Sequence, residues 1–363
     1  MDVGILIIGA GVAGSSTAWH LADLRIRDVV VIERESLPGM HASSQGSNIL
    51  RQFIDDLTLA RVAFKGGGFL LTPPFHWGKI VDPVGSLILF PMHSKKGVLP
   101  SFNACTSMGL EASLITKKDA IAKVPILEDA EFDEAIWTST DGVIDNQRLL
   151  WSYINDAKTA GVRFKMGEEV IDIKVLEGGF LVSTTKDTYR AKKVVNAGGA
   201  WAGEIGKMVG RDIGLVSYKR HLYNTAVMHG VDPSWPVVWD IANGYYFRYD
   251  SGGLAISPCD EERATPGIPA ISVSARQMLA QKLSNYCPRL ANISIYSEGA
   301  GLTVLAPDRR FVLGRDNIVN GFYWAAALGW YGISCSSEVG KMVARDIAGK
   351  MDVPLEFNVA RFG

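Results

Sequence analysis

The sequence predicts an α/β protein with two domains, and three observations support this prediction. The chain is 363 residues long, more than twice the roughly 150 residues of an average domain. Apolar residues make up 47% of the chain and charged residues 21%, which is enough apolar material for a buried core. The N-terminal segment reads as strand, glycine-rich turn, helix and strand, a βαβ unit of about 30 residues.

The overall composition limits the classes of partner and cellular compartment. Lys plus Arg number 37 against 38 for Asp plus Glu, giving a formal charge of −1, so we expect no nucleic-acid partner. The four cysteines lie far apart without a C-x-x-C pair, and the six histidines are scattered, which predicts free thiols and no metal site. Neither a signal-peptide pattern nor an apolar stretch of about 18 residues is found. We therefore expect a cytoplasmic protein without a transmembrane segment, with peripheral membrane contact and oligomerisation left open.

Hydrophobic periodicity predicts the elements in order. The first unit consists of a strand over 4–8, a helix that passes through Leu24, and a strand over 29–32. Further helices are predicted over 57–64, 117–123, 146–160 and 334–348, and further strands over 86–90, 162–164, 170–175, 180–184, 193–196, 311–314 and 321–327.

Glycines are expected to end one of the predicted helices and to form turns between predicted strands. The helix that begins near residue 57 is predicted to end before the three glycines at 66–68, since each disfavours a helix by about 1 kcal/mol relative to alanine. Residues 218–257 alternate strand patterns with turn signals at 243–244 and 251–253, which is typical of an antiparallel sheet.

The turn after the first strand carries a dinucleotide-binding fingerprint, G-x-G-x-x-G, at 9–14. Gly9 permits a tight turn, Gly11 lets the backbone approach a pyrophosphate, and Gly14 lets the helix pack against the strand. Glu33 ends the second strand nineteen residues after Gly14, where a carboxylate can bind both hydroxyls of a ribose. The pattern alone is weak in a chain with 38 glycines, and it does not distinguish NAD from FAD.

Four other segments resemble the D-amino-acid oxidase, glycine oxidase and sarcosine oxidase family of flavoproteins. H-A-S-S-Q-G-S-N at 41–48, followed by Arg51-Gln52, looks like its flavin-binding loop, and V-V-N-A-G-G-A-W at 194–201 like its second cofactor-contacting turn. Residues 306–314 and 327–334 resemble its C-terminal flavin cradle. The resemblance implies a glutathione-reductase-type, Rossmann-like FAD domain formed by 1–75, 141–215 and 297–363, and an antiparallel substrate domain formed by 76–140 and 216–296.

The resemblance also implies FAD as a noncovalent cofactor. Gly301 stands near the position where sarcosine oxidases carry a flavin-linked cysteine, and His41 is the one other candidate for attachment. Backbone N–H groups at 329–334 are expected to face the negative edge of reduced flavin. The residues predicted to bind the cofactor are Gly9, Gly11, Val12, Ala13, Gly14, Glu33, Arg34, Ser43, Ser44, Gln45, Asn48, Val170, Ala197, Gly198, Trp201, Gly329, Trp330, Tyr331, Gly332, Ile333 and Ser334.

The activity implied by the resemblance is oxidation of the CH–NH bond of an amino acid or related amine, with hydride transfer to flavin and hydrolysis of the imine. Dioxygen or another acceptor would reoxidise the flavin. Two alternatives stay open: oxidation of a CH–OH bond, as in the related glycerol-3-phosphate dehydrogenases, and a flavin-binding subunit of a larger electron-transfer complex.

Four residues are candidates for the substrate side. Arg51 is placed to bind a carboxylate through a bidentate pair, and Tyr246 and Arg248 share one face of a strand. For His221 a structural hydrogen bond is favoured over proton transfer. The substrate arginine of glycine oxidases is replaced here by Thr303, and the lysine of sarcosine oxidases by Ser334, which argues against a simple glycine or sarcosine pocket.

Overall fold

A computed structural model describes all 363 residues. Its strands are β1 Asp2–Ile8, β2 Val29–Ile32, β3 Ile49–Leu50, β4 Val81–Asp82, β5 Ser86–Phe90, β6 Ala112–Thr116, β7 Glu134–Thr138, β8 Gly142–Ile144, β9 Arg163–Lys165, β10 Val170–Leu176, β11 Gly179–Thr184, β12 Thr188–Asn196, β13 Val216–Thr225, β14 Val237–Asp240, β15 Tyr245–Asp250, β16 Gly253–Ser257, β17 Glu262–Arg263, β18 Ile295–Leu305, β19 Val312–Arg315 and β20 Phe322–Ala326. Its α-helices are α1 Val12–Asp23, α2 Leu57–Leu71, α3 Lys95–Ser107, α4 Lys117–Lys123, α5 Asn146–Thr159, α6 Ala202–Met208, α7 Val273–Tyr286 and α8 Ser336–Ile347.

The first sheet confirms the predicted βαβ unit. It has eight strands, with β10-β11-β12-β1-β2-β9 in order, β20 beside β12, and β19 beside β20. Strand β1 lies parallel to both β2 and β12, and Ile8 pairs with Ile32 on one side and with Asn196 on the other. Because carboxyl ends of parallel strands meet at one edge, the glycine-rich loop, Glu33 and the turn at 197–201 come together there.

The second sheet has nine strands, β17-β13-β16-β15-β14-β5-β7-β6, with β18 beside β13. Its pairs are antiparallel, as the turn signals predict, except that β5 and β14 are parallel. Strand β18 pairs with β13 from Ile295 to Leu305. The pairing therefore puts 297–305 in the second sheet, although the sequence division grouped them with the FAD domain. The domain boundaries themselves remain a prediction.

The prediction that a helix ends before the three glycines is wrong. Helix α2 continues through Gly66 and Gly67 to Leu71 because its packing requires residues without side chains. A Cβ atom on Gly66 would collide with the carbonyl oxygen of Ser334, and one on Gly67 with the side chain of Gln52. The packing free energy gained by this close approach outweighs the cost of placing glycine in a helix.

Helices α1 and α8 cover the first sheet. Their crossing is close, since a Cβ on Gly340 of α8 would meet Ser16 and Thr17 of α1. Val339 and Val343 face the sheet from α8 and belong to the main apolar core. No helix of the structure has both the length and the apolar character required to cross a bilayer.

Candidate cofactor and substrate site

Two cavities open at the carboxyl edge of the first sheet and meet at the glycine-rich loop. The Glu33 cavity, about 900 Å³ including its mouth, extends towards the end of β2. The Arg51 cavity, about 1320 Å³ including its mouth, lies between the two sheets. Gly11, Ser43 and Ala197 line both cavities. Together the cavities form an elongated space with the first turn of α1 at its middle.

The glycines of the fingerprint have different roles. Gly9 has a φ of +105°, and a Cβ there would strike the carbonyl of Ala197. Gly14 lies outside both cavities, and a Cβ on it would strike the carbonyl of Gly9, so it permits the helix to approach the strand. Gly11 lies between the cavities, next to Val12, whose N–H donates to the Ser43 hydroxyl at 3.0 Å. The helix N-terminus here can bind an anionic group.

Glu33 holds the glycine-rich loop as well as facing a cavity. Its carboxylate accepts the N–H of Ala10 at 2.8 Å and that of Glu35 at 3.0 Å, and the residue is only 8% exposed. Nearby, the Arg34 guanidinium lies 4.4 Å from the ring centre of Trp201. Gly198 and Val170 complete the predicted residues on this side.

The loop at 39–48 separates the two cavities. Ser43, Gln45 and Asn48 line the Arg51 cavity, and the Asn48 side-chain oxygen is buried without a hydrogen-bond partner. Ser44 faces neither cavity: its hydroxyl donates to the Gly39 carbonyl at 2.6 Å and accepts from Gln147. Ser44 thus braces the loop, and the expectation that it contacts the cofactor directly receives no support from the geometry.

The turn before α8 forms another wall of the Arg51 cavity. All six predicted residues from 329 to 334 line it. The Thr303 hydroxyl donates to the Gly329 carbonyl at 2.7 Å, and the Ser334 hydroxyl donates to the Ile49 carbonyl at 3.0 Å. The Thr303 hydroxyl therefore ties this wall to β18, and the Ser334 hydroxyl ties it to β3.

Arg51 lies in the same cavity between aromatic rings. Its guanidinium carbon is 4.4 Å from the Trp239 ring centre and 5.5 Å from that of Tyr331. Nε donates to the Phe53 carbonyl at 2.9 Å, Nη2 reaches the Tyr331 hydroxyl at 3.4 Å, and Nη1 makes no hydrogen bond to protein. The side chain forms no salt bridge, and no Asp or Glu lines the cavity.

Comparison with known proteins decides the family. The family described as "DAO: FAD dependent oxidoreductase" matches residues 4–345. The chain belongs to this family. The resemblance seen in the sequence, the α/β fold and FAD as cofactor are thereby confirmed, and the chain is an FAD-dependent oxidoreductase.

Individual relatives of this flavoprotein are distant in sequence. Mitochondrial dimethylglycine dehydrogenase of Mus musculus is 24% identical over 93% of this chain and 41% of that protein, so the chain spans about two fifths of that relative. Monomeric sarcosine oxidase of Bacillus sp. (strain NS-129) is 22% identical over 94% and 92% of the two chains. The L-proline dehydrogenase structure from P. horikoshii has a TM-score of 0.90 at 25% identity, covering 99% and 98%. Glycine oxidase from Geobacillus kaustophilus has 0.85 at 23%, covering 100% and 98%.

The residues at the two cavities fit FAD. An elongated dinucleotide matches two cavities that meet at a helix N-terminus, where the pyrophosphate would find free N–H groups. Glu33 lies where a ribose would be bound. The orphaned oxygen of Asn48 offers an acceptor on the flavin side, because buried polar atoms normally have a partner.

The remaining predicted substrate-side residues differ in their placement within the flavoprotein. Tyr246 lines the Arg51 cavity and stacks on Trp239 with ring centres 4.5 Å apart, and burial raises its pKa. Arg248 shares that strand face but lies beyond the cavity. Its Nε donates to the Ser47 carbonyl at 2.8 Å and its Nη1 to Asp250 at 3.0 Å. We expected Arg248 to contact substrate, but in the structure it supports the flavin loop instead.

His221 borders the Arg51 cavity, but both of its ring nitrogens are hydrogen-bonded to protein. Its Nδ1 lies 2.7 Å from Asp260 and its Nε2 accepts the N–H of Ser272 at 2.9 Å. Its side chain is fully buried, on the face of β13 opposite to Arg220. With both ring nitrogens bound, the imidazole ties the loop before α7 to the sheet, as the favoured structural interpretation expected.

Sequence reasoning missed Arg220 and Trp239, which also line the Arg51 cavity. The alternation of side chains along a strand could have indicated Arg220. Successive residues point to opposite faces, so Arg220 shares a face with Leu222 and His221 lies on the other. For Trp239 the sequence carried no signal, because its position follows from the parallel pairing of β14 with β5.

Proposed function

We propose that this flavoprotein oxidises the carbon–nitrogen bond of an amino acid or related amine in the Arg51 cavity. The observation that carries the proposal is the guanidinium of Arg51, which faces an apolar and aromatic cavity without an acidic partner. Arg51 is half-buried, and a partly desolvated charge without a partner is unfavourable. A substrate carboxylate would neutralise it and accept a bidentate pair of hydrogen bonds.

The surrounding residues support one orientation of such a substrate. Arg51 would hold the carboxylate, while stacked Trp239 and Tyr246 exclude water from one side of the cavity. When bound, FAD supplies the acceptor for the hydride released from the α-carbon. Backbone N–H groups of the turn at 329–334, apart from that of Tyr331, which donates to the Leu328 carbonyl, would stabilise negative charge in that cavity.

Proton transfer would not rely on a side chain of the cavity. No carboxylate lines it, and both nitrogens of His221 are hydrogen-bonded. We therefore expect the amine to bind in its neutral form, so the rate of flavin reduction should rise with pH until the free amine predominates.

The relatives support an amine substrate in general terms. Those named above as dimethylglycine dehydrogenase, sarcosine oxidase, L-proline dehydrogenase and glycine oxidase act on amino acids by their names. A relative named glycerol 3-phosphate dehydrogenase, from Caloramator mitchellensis, is 28% identical over 56% of this chain and 43% of that protein. We favour the amine substrate because more of these relatives carry names of enzymes that act on amino acids.

The test compares an amino acid with its decarboxylated amine. Anaerobic reduction of the bound FAD is followed for both with wild type, Arg51→Met and Arg51→Lys. Loss of a desolvated charge pair typically amounts to about 2 to 5 kcal/mol, so Arg51→Met should lower the efficiency for the amino acid more than tenfold, with a small effect on the amine. The control is Arg248→Met, which should change FAD retention and leave this discrimination intact.

Equal losses on both compounds would reject the carboxylate role of Arg51. Reduction by glycerol 3-phosphate and by no amine would replace the proposed function with CH–OH oxidation. The same protein preparation tests the remaining proposals on partners. Turnover by the isolated chain with dioxygen or an artificial acceptor would argue against a subunit that only binds flavin. Gel filtration gives the oligomeric state.

A further inference from the structure

We infer that the substrate carries a second carboxylate, which Arg220 binds in the Arg51 cavity. The inference rests on the proposed function and narrows it to dicarboxylic amino acids and N-carboxyalkyl amines. Two arginines and no acidic side chain line the cavity, so a ligand with one carboxylate would leave a second cationic group incompletely neutralised.

The position of Arg220 follows from the register of β13. Burial alternates along this strand: Arg220 and Leu222 are partly exposed towards the cavity, whereas His221, which also borders the cavity, and Tyr223 are fully buried. Arg220 is paired across the sheet with Gly301 of β18. Gly301 has no side chain, and Gln45 of the flavin loop lies over it.

Aromatic stacking holds the guanidinium in place. Its carbon lies 3.4 Å from the ring centre of Trp330. Nε donates to the Asp260 carbonyl at 3.2 Å, and Nη2 to the Cys259 carbonyl at 3.4 Å and to Glu261 at 3.2 Å. Nη1 makes no hydrogen bond to protein. The side chain is therefore preorganised, which favours binding of a planar carboxylate.

The charge of Arg220 is only partly compensated. Glu261 also accepts two hydrogen bonds from Arg309, at 2.6 and 2.8 Å, and one from the Trp330 indole at 3.0 Å. One carboxylate thus serves two guanidinium groups. Because the Arg220 side chain is only 13% exposed, water screens the remaining charge poorly.

A binding measurement tests the inference without turnover. The oxidised holoenzyme is titrated with acetate and with malonate, succinate and glutarate, and changes in flavin absorbance report the dissociation constants. Wild type should bind one of the dicarboxylates more tightly than acetate. Arg220→Met should weaken that dicarboxylate more than about tenfold while changing acetate less than about twofold.

Arg310→Met is the matched control, because it removes a nearby arginine that pairs with Asp56 instead of Glu261 and lies outside the cavity. It should leave dicarboxylate binding within about twofold of wild type. If Arg220→Met does not retain FAD, Arg220→Gln, which keeps a donor for the Cys259 and Asp260 carbonyls, replaces it in the same titrations.

Measuring the reduction of FAD by substrates separates this inference from the proposed function. FAD reduction is compared for sarcosine with iminodiacetate, and for alanine with aspartate as D and L isomers. A loss in Arg220→Met confined to the dicarboxylic members supports the inference. Equal losses on mono- and dicarboxylates, or no preference of wild type for any dicarboxylate, would overturn it while amine oxidation stands. Failure of every amine to reduce FAD would reject the proposed function, and the titrations would still decide the role of Arg220.

Discussion

Gly67 leaves the space that the side chain of Gln52 occupies: a Cβ on Gly67 would lie 2.8 Å from the Gln52 amide carbon. Gln52 follows Arg51 directly, and its backbone N–H and side-chain amide both donate to one oxygen of Asp141, at 3.0 and 3.1 Å. The other oxygen of Asp141 accepts the Ser86 hydroxyl at 2.7 Å. This buried network connects the segment that carries Arg51 to the edge of β5.

The glycines of α2 should respond oppositely to alanine. Gly67→Ala should destabilise the protein by about 1 to 3 kcal/mol through overpacking, because Gln52 is 2% exposed and its amide is bound. Gly68→Ala is the control: a Cβ there meets nothing within 4 Å, so it should stabilise by up to about 1 kcal/mol. Urea unfolding of both variants measures the difference. Equal effects of the two substitutions would contradict the proposed packing.

Asp141 should make stability depend on pH. Burial raises its pKa from 3.8 to about 6, so the folded protein binds the proton more tightly than the unfolded chain. The contribution of this group to the free energy of unfolding is then most favourable below about pH 4 and falls by about 3 kcal/mol as pH rises to 6. Asp141→Asn should remove that decrease. Urea titrations at pH 4 to 7 on both proteins test this, and parallel pH curves would refute it.

Glu33→Ala should weaken FAD binding about ten- to a hundredfold, since each lost hydrogen bond to a charged acceptor is worth roughly 1.5 to 3 kcal/mol. It also leaves the Ala10 N–H without its partner, which should lower the stability of the apoprotein. Glu35→Ala, outside both cavities, should keep the FAD dissociation constant within about twofold. Absorbance titration of apoprotein with FAD measures both, and an unchanged constant in Glu33→Ala would place this residue outside the ribose site.

FAD should be released when the protein is precipitated with acid. Gly301 offers no nucleophile, and it faces Gln45 of the flavin loop. His41 lines the Glu33 cavity and not the Arg51 cavity, with its Nε2 2.9 Å from Glu35. Yellow colour in the supernatant is the expected result. Colour in the pellet, lost in His41→Ala, would show covalent attachment through that histidine.

The parts of the site that depend on local backbone were accessible from the sequence. A strand that ends in a glycine-rich turn determines the placement of Gly9 and Gly11, and Glu33 follows from its position after the next buried strand. These constraints act within one βαβ unit. They need no knowledge of how distant segments pack.

Other features depend on segments far apart in the chain. The continuation of α2 requires the backbone of Ser334, which propensity cannot include. Arg248 shares a strand face with Tyr246, but only the positions of Ser47 and Asp250 show that it lies beyond the cavity. The sequence division grouped residues 297–305 with the FAD domain, while their hydrogen bonds belong to the second sheet.

The pairing of β13 with β18 also bears on how substrate enters. The chain visits the second sheet twice, first from β5 to β7 and later from β13 to β18. On the second visit it enters along β13 and leaves along β18, and these strands are hydrogen-bonded neighbours from Val216–Leu305 to Thr225–Ile295. Two unpaired connecting segments would let one sheet rotate relative to the other, whereas two hydrogen-bonded strands resist this rotation. The two sheets should therefore move together as one rigid body. Substrate and product would then enter and leave the Arg51 cavity through local motion of the loops at its mouth.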